Sequence, residues 1–261
     1  MMTEFQNIIF EQEGEVAQIT INRPKALNAL SNGVIEEMLY ATLNEMTDEA
    51  RILVIQGSGD KAFVAGADIK PMLDMSSEQA LEFSRMGQML LSTMEKIPQI
   101  TIAKVKGFAL GGGCELAMGC DLIVATEDSQ FGQPEVNLGL IAGFGGTQRL
   151  VKRVGLPQAL DMLLCGKGKS ISGKDAYNMG LVSRVCASDK LDEEANSMIK
   201  SILAAGPQAV KETKRLVREA TEMSLESGLS SEAFTFASCF SSPESREGIT
   251  AFLEKKKPNF S

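Results

Sequence analysis

Histidine is missing from all 261 residues. That excludes Ser-His-Asp and Cys-His nucleophile systems and every His-ligated metal centre. Proton transfer near neutral pH is left to carboxylates, lysines, cysteines or the two tyrosines, Tyr40 and Tyr177. The five cysteines are irregularly spaced and form no CxxC pair. They read as reduced, mostly buried thiols of a cytoplasmic protein. Positive charge is in short supply: 26 Lys and Arg against 34 Asp and Glu give a net charge of −8. Nucleic-acid binding needs the opposite sign. No apolar run is long enough to span a bilayer. The opening MMTEFQNIIFEQEGE has no basic, apolar leader, so no signal peptide is expected, and no membrane partner is expected either.

What is present belongs to an ordinary globular chain, 44% apolar and 23% charged. Residues 7–22 predict a β-hairpin turning at Glu13–Gly14, ended by Arg23–Pro24. Helical spacing of Val34, Ile35, Met38, Leu39 and Leu43 follows Ser31. Buried strands are predicted at Ile52–Gln56, Ile100–Val105 and Asp121–Ala125, with a helix between Ser77 and Glu95 opened by a Ser76/Gln79 capping box. Strand and helix alternate, which implies βαβ units and a largely parallel sheet. Gly57-Ser-Gly59 is too poor a dinucleotide loop, and Gly166-Lys-Gly-Lys-Ser170 reads as a helix-ending turn, not a phosphate loop. A short strand at Val182–Val185 precedes a mainly helical end: a helix capped by Asp189, a break at Gly206–Pro207, then helices to Thr221, over Leu225–Phe240 and over Pro243–Lys256.

The chemistry concentrates between Lys106 and Leu138. Glu115 interrupts the apolar run GGGCELAMGC, where an ionised carboxylate is costly unless it is paired or its pKa moves. Glu135 follows in a Gly-Gln-Pro-Glu turn. Taken singly, Glu115 is equally a helix cap, Glu135 a surface turn and Asp68 a cap, while Cys114 and Cys120 read as packing residues. Together, two carboxylates in unlike environments and N–H groups at a helix start near Gly112 suit enolate chemistry, with a second donor from the small-residue loop Ala65–Asp68.

The ordered motifs NRPKALNAL (22–30), FVAGADIK (63–70), GFALGGGCELAMGCD (107–121), FGQPEVNLGL (131–140), GFGGTQRL (143–150) and REGITAFLEKKKPNF (246–260) carry a resemblance over nearly the whole chain. It resembles the crotonase (enoyl-CoA hydratase/isomerase) superfamily, and within it the short-chain bacterial crotonases of butyrate metabolism. The resemblance implies an α/β fold, a spiral of ββα units over 1–190 with a C-terminal α-helical trimerisation region over 191–261. It implies catalysis by Glu115, which activates water, and Glu135, which delivers the α-proton. Ala67 and Gly112 match the oxyanion hole, and Gly143 matches a glycine whose N–H supports the active-site carboxylate. Lys25, Ala26, Ala65, Asp68 and Ile69 match positions that grip coenzyme A, and Phe240 and Lys257 match positions that reach CoA on a neighbouring subunit. The implied partner is an acyl-CoA thioester, with no metal and no cofactor beyond the CoA of the substrate. The implied assembly is a homo-oligomer, a trimer or a homohexamer built as a dimer of trimers. Two departures stand out. Ala142 replaces a common proline, which is expected to loosen the loop behind Glu135, and Phe144 replaces a common alanine, which is expected to narrow the acyl pocket. Isomerase activity and a catalytically silent CoA-binding role remain alternative readings.

Overall fold

The computed structural model describes residues 4–260. The predicted hairpin is β1 (Ile8–Glu13) and β2 (Val16–Ile21), antiparallel with Ile8 opposite Ile21. Helix α1 (Asn32–Asn44) starts where the Ser31 hydroxyl accepts from the Val34 N–H. The chain then repeats one unit: a long strand, a short strand, a helix. The units are β3 (Ile52–Gly57), β4 (Ala62–Val64) and α2 (Ser77–Lys96); β5 (Ile100–Val105), β6 (Phe108–Leu110) and α3 (Gly112–Gly119); β7 (Leu122–Thr126), β8 (Gln130–Gly132) and α4 (Gly146–Val154). Helix α5 (Leu156–Cys165), β9 (Ile171–Ser172), α6 (Gly173–Asn178) and β10 (Arg184–Cys186) complete the core.

The long strands and the short edge strand β10 form one six-stranded sheet, β1-β2-β3-β5-β7-β10, parallel from β2 onward; the other short strands form a second, β4-β6-β8-β9. This is the expected ββα spiral. The central strands are apolar on both faces, as a covered parallel sheet requires. Leu53 and Ile55 join the core shared with α1, α2 and α3, while Ile52, Val54 and Ile102 face α7 (Leu191–Leu203) through Met198 and Ile199. Helices α8 (Pro207–Glu219), α9 (Leu225–Phe240) and α10 (Pro243–Leu253) end the chain with no fully buried residue except Ala251.

Local signals were reliable. The Ser76/Gln79 capping box forms as predicted, with bonds of 3.2 and 2.8 Å. A 3₁₀ turn over Gly166–Lys169 follows α5, consistent with a helix end. Most predicted bounds shift by a residue or two, and three of the differences concern the end of the chain. Asp189 does not cap α7: Lys190 occupies the N-cap position, without a side-chain cap, because the helix starts one residue later. The strand starts at Arg184, where pairing with Val124 begins, and α10 stops at Leu253.

Candidate active site

Helix α3 is placed by close contacts that leave no room for side chains. At Gly111 the chain turns with φ +49°, a left-handed conformation that glycine adopts at least cost. A Cβ on Gly113 would lie 2.0 Å from the Val64 carbonyl oxygen, so the helix start rests directly on the end of β4. All eight residues of α3 are buried. Glu115 is therefore drawn inside, 2% exposed.

The Glu115 Oε1 accepts from the Phe144 N–H at 2.8 Å and the Gly146 N–H at 2.6 Å. Among the described residues no protein group donates to Oε2. Burial pushes this carboxyl up to about 7, and the nearby Glu135 carboxylate adds to the rise; the Gly146 and Phe144 N–H groups and Arg149 oppose it. Glu135 opens a 3₁₀ turn, Glu135–Leu138, after β8. Burial also raises its pKa, against a bond from its own N–H. It lies against Gly111, where a Cβ would stand 2.7 Å from Oε1. Gln133 is 1% exposed, and its amide nitrogen donates to both Glu135 oxygens at 3.1 Å; the opposite orientation would set oxygen against oxygen. A Cβ on Gly146 would touch both Glu115 Oε1 and the Gln133 amide, at 2.9 and 3.0 Å. The two acids thus share one site, with Gln133 between them.

Ala67 and Gly112 also come together here. Leu30 bridges to Ala67, using the Gly66 carbonyl and the Asp68 N–H, and the Leu30 side chain lies 3.4 Å from where a Gly112 Cβ would be. Neither the Ala67 N–H nor the Gly112 N–H donates to a protein acceptor among the described residues. Two main-chain donors beside two carboxylates can polarise a carbonyl while protons move on either side of it.

Gly143 requires a correction. The N–H groups that hold Glu115 belong to Phe144 and Gly146. Gly143 instead offers its carbonyl to Ser84 Oγ at 2.6 Å and Gln88 Nε2 at 2.9 Å, because the loop lies with that carbonyl turned to α2. These bonds also anchor the loop at the point where Ala142 was expected to loosen it. Phe144 packs its ring on Phe83 of α2, centroids 5.1 Å apart, and fills the space that Gly87 leaves on the same helix. A Gly112 Cβ would be 3.3 Å from that ring, so Phe144 lines the site.

Lys25 and Ala26 lie exposed in a 3₁₀ turn, Pro24–Ala26, joined to the 65–69 segment by Ala65 N–H to Leu27 O at 3.0 Å. Asp68 is paired with Arg23 at 3.0 Å, and Ile69 is exposed. Phe240, 60% exposed, stacks on Phe236, and Lys257 is exposed beyond α10. Within the described residues no hydrogen bond, ion pair or ring contact joins either to the acids. Sequence reasoning missed Gln133, Gly146 and the N–H of Phe144. Gln133 left a faint sign, a polar residue between the buried Phe131 strand and a proline turn; a main-chain donor leaves none.

A profile of the enoyl-CoA hydratase/isomerase family matches residues 11–261. The short-chain-enoyl-CoA hydratase of Clostridium acetobutylicum is 40% identical over 256 residues, 97% of each chain. The crotonyl-CoA hydratase of Syntrophomonas wolfei is 43% identical over 257 residues, 98% of each chain. The crystal structure of an enoyl-CoA hydratase from Bacillus anthracis matches with a TM-score of 0.93 at 33% identity, covering 98% of this chain and 99% of that one.

Proposed function

The chain belongs to the enoyl-CoA hydratase/isomerase family, and from that premise we propose that it hydrates short-chain trans-2-enoyl-CoA reversibly to 3-hydroxyacyl-CoA through Glu115 and Glu135. The protein is an enzyme, an enoyl-CoA hydratase and so a lyase. The observation that carries the assignment of roles is the pair of acids sharing one site, one of them held only by main-chain donors and raised to about 7.

The thioester oxygen lies on the Ala67 and Gly112 N–H groups. Glu115, ionised, takes a proton from water as the water oxygen bonds to Cβ. The π electrons of the Cα–Cβ double bond shift toward the thioester oxygen, and the negative charge that develops there is stabilised by the two donors. Glu135, protonated, then delivers its proton to Cα. One proton returned from Glu115 to Glu135 resets the pair. Opposed protonation states are what this requires: burial raises Glu135 toward the protonated form, while the Gly146 and Phe144 N–H groups and Arg149 favour the ionised form of Glu115.

The CoA moiety is taken by Lys25, Ala26, Ala65, Asp68 and Ile69, beside a groove of about 410 Å³ lined by Pro24, Lys25, Leu27 and Ser58–Ala62. Phe240 and Lys257 serve a neighbouring subunit's CoA. The exposed apolar side chains Leu225, Phe234, Phe236 and Phe252 support a homo-oligomer, a trimer or a dimer of trimers. Among the described residues no helix is long and apolar enough to cross a membrane. We place the enzyme in the cytoplasm and in butyrate metabolism, without metal or separate cofactor. Phe144 supports the short-chain limit, because its ring occupies space beside the oxyanion donors.

The test is direct. Purified enzyme added to crotonyl-CoA is expected to remove the ultraviolet absorbance of the conjugated thioester. Decenoyl-CoA is expected to react more slowly, and Phe144→Ala to narrow that gap. An unchanged crotonyl-CoA signal at any enzyme concentration would reject the hydratase assignment for this chain.

A further inference from the structure

Of the two donors to Glu115, Phe144 sits on a loop with no regular structure and Gly146 opens α4, so something must fix how the loop aims them together. Arg149, in α4, lies beneath that loop. Its Nη1 donates to the Phe144 carbonyl at 2.8 Å. That carbonyl lies between the Phe144 and Gly146 N–H groups that converge on Glu115. A Cβ on Gly145 would fall 2.3 Å from Nη1, so the guanidinium lies flush against the loop backbone. Arg149 is itself held by Glu95 on α2, Nε to Oε1 at 2.7 Å and Nη2 to Oε2 at 2.9 Å. A bidentate pair of this kind fixes orientation as well as distance. Residues Ser84, Gln88, Ser92 and Glu95 form one stripe of α2, and all four meet the loop or Arg149.

We propose that Arg149, locked by Glu95, is a positioning residue for Glu115: by gripping the Phe144 carbonyl it aims two main-chain N–H groups at one carboxylate oxygen and leaves the other for the attacking water. The inference rests on the hydratase reading above. The charged groups around Glu115 are Glu135 from the turn after β8 and Arg149 from α4. The neighbouring Cys114 thiol is pushed up to about 12 by burial and stays neutral. Arg153 lies at the far end of α3, on the Met118 and Cys120 carbonyls, and Arg218 of α8 stands behind Glu95 at 3.2 Å. Arg149 is therefore the cation that favours the ionised form of Glu115.

The test compares wild type, Arg149→Met, Arg149→Lys, Glu95→Gln and Glu115→Gln on crotonyl-CoA, alone and with Arg149→Met combined with Glu115→Gln. Arg149→Met is expected to lower kcat about 10- to 100-fold with KM nearly unchanged, as a misplaced base does. The acidic limb of its rate profile is expected to move to higher pH. Lysine is expected to restore part of kcat and of the pH limb, since it keeps the charge without the fork. In the Glu115→Gln background the same arginine change is expected to add almost nothing. Equal losses in both backgrounds, or an unmoved pH limb, would assign Arg149 a purely structural role. Should Arg149→Met fail to fold, Arg149→Lys and Glu95→Gln carry the same comparison. Wild-type hydration that Glu115→Gln abolishes supports the enzymatic reading whatever Arg149 does. If wild type fails to hydrate, infrared titration of the Glu115 carboxyl in wild type and Arg149→Lys decides the positioning claim alone: coincident curves overturn it.

Discussion

Carboxylates six residues apart mark the two ends of α3, Glu115 buried and Asp121 partly so, and they are treated in opposite ways. At the C-terminal end Asp121 is met by cations on both oxygens. Arg218 reaches Oδ1 through Nε and Nη2 at 2.9 and 2.7 Å, and Lys214 reaches Oδ2 at 2.8 Å. Thr101 adds its N–H and hydroxyl to Oδ2 at 2.8 and 2.9 Å. Arg153 covers the last carbonyls of the helix, where positive charge suits the dipole. At the N-terminal end no cation touches Glu115, and two peptide N–H groups are its only protein donors among the described residues. The difference separates stability from chemistry. A carboxylate gripped by cations on both oxygens is tied into the structure, whereas one held by neutral dipoles on one oxygen keeps the other free to trade a proton.

The contrast is open to a graded set of tests. Glu115→Gln is expected to lower kcat about 10³-fold, while the melting temperature stays level or rises. Asp121→Asn is expected to do the reverse. It takes away the carboxylate that Lys214 and Arg218 share, leaving Arg218 to Glu95 and Lys214 to the Met94 and Gln99 carbonyls, and costs about 3 kcal/mol in urea unfolding, while kcat of the folded fraction stays near wild type. A folded but inactive Asp121→Asn enzyme would break the distinction.

A smaller effect follows from pH. Folded Glu115, raised to about 7, binds a proton over the interval where the unfolded chain has released it. The stability this contributes is fully present below the ordinary carboxylate pKa and is lost as pH rises through 7. Between pH 5 and 8 wild type is therefore expected to lose up to about 3 kcal/mol relative to Glu115→Gln. Parallel stability curves would show that the carboxyl is not raised. The smallest expected contrast lies in two glycines. Gly111→Ala is expected to reduce kcat about tenfold, because the new methyl meets Glu135 Oε1 at 2.7 Å and misplaces the acid. Gly119→Ala meets only the Leu91 side chain, at 2.8 Å. It is expected to lower the melting temperature and leave kcat unchanged.

The same contrast explains what was legible in the sequence. Glu115 announced itself because an acid inside GGGCELAMGC violates apolar patterning. The Ser76 cap was readable because donor and acceptor lie three residues apart. The parallel sheet followed from alternating strand and helix signals, and the ββα spiral only from the resemblance carried by the ordered motifs. What stayed hidden depends on distance along the chain. Phe144 and Gly146 lie 29 and 31 residues from Glu115 and contribute atoms that every residue but proline possesses. Arg149 and Glu95 are 54 residues apart, and neither is unusual on a helix surface. Gly143 was assigned a role for its N–H where its carbonyl is the group engaged, because a glycine in a loop gives no sign of which way its carbonyl turns. Asp189 resembled a cap, but α7 begins only at Leu191, so the N-cap position falls to Lys190.

Phe144 performs two tasks with two separable parts. Its main-chain N–H holds Glu115, and its ring fills the space between α2 and Gly112. Exchanging the side chain leaves the donor in place. The residue that touches the reactive acid is thus also one where substrate range can drift by single mutations without loss of the base. A scan that replaces side chains one by one would register position 144 only as a determinant of size. Its part in proton transfer would come to light only by replacing the 143–144 amide with an ester.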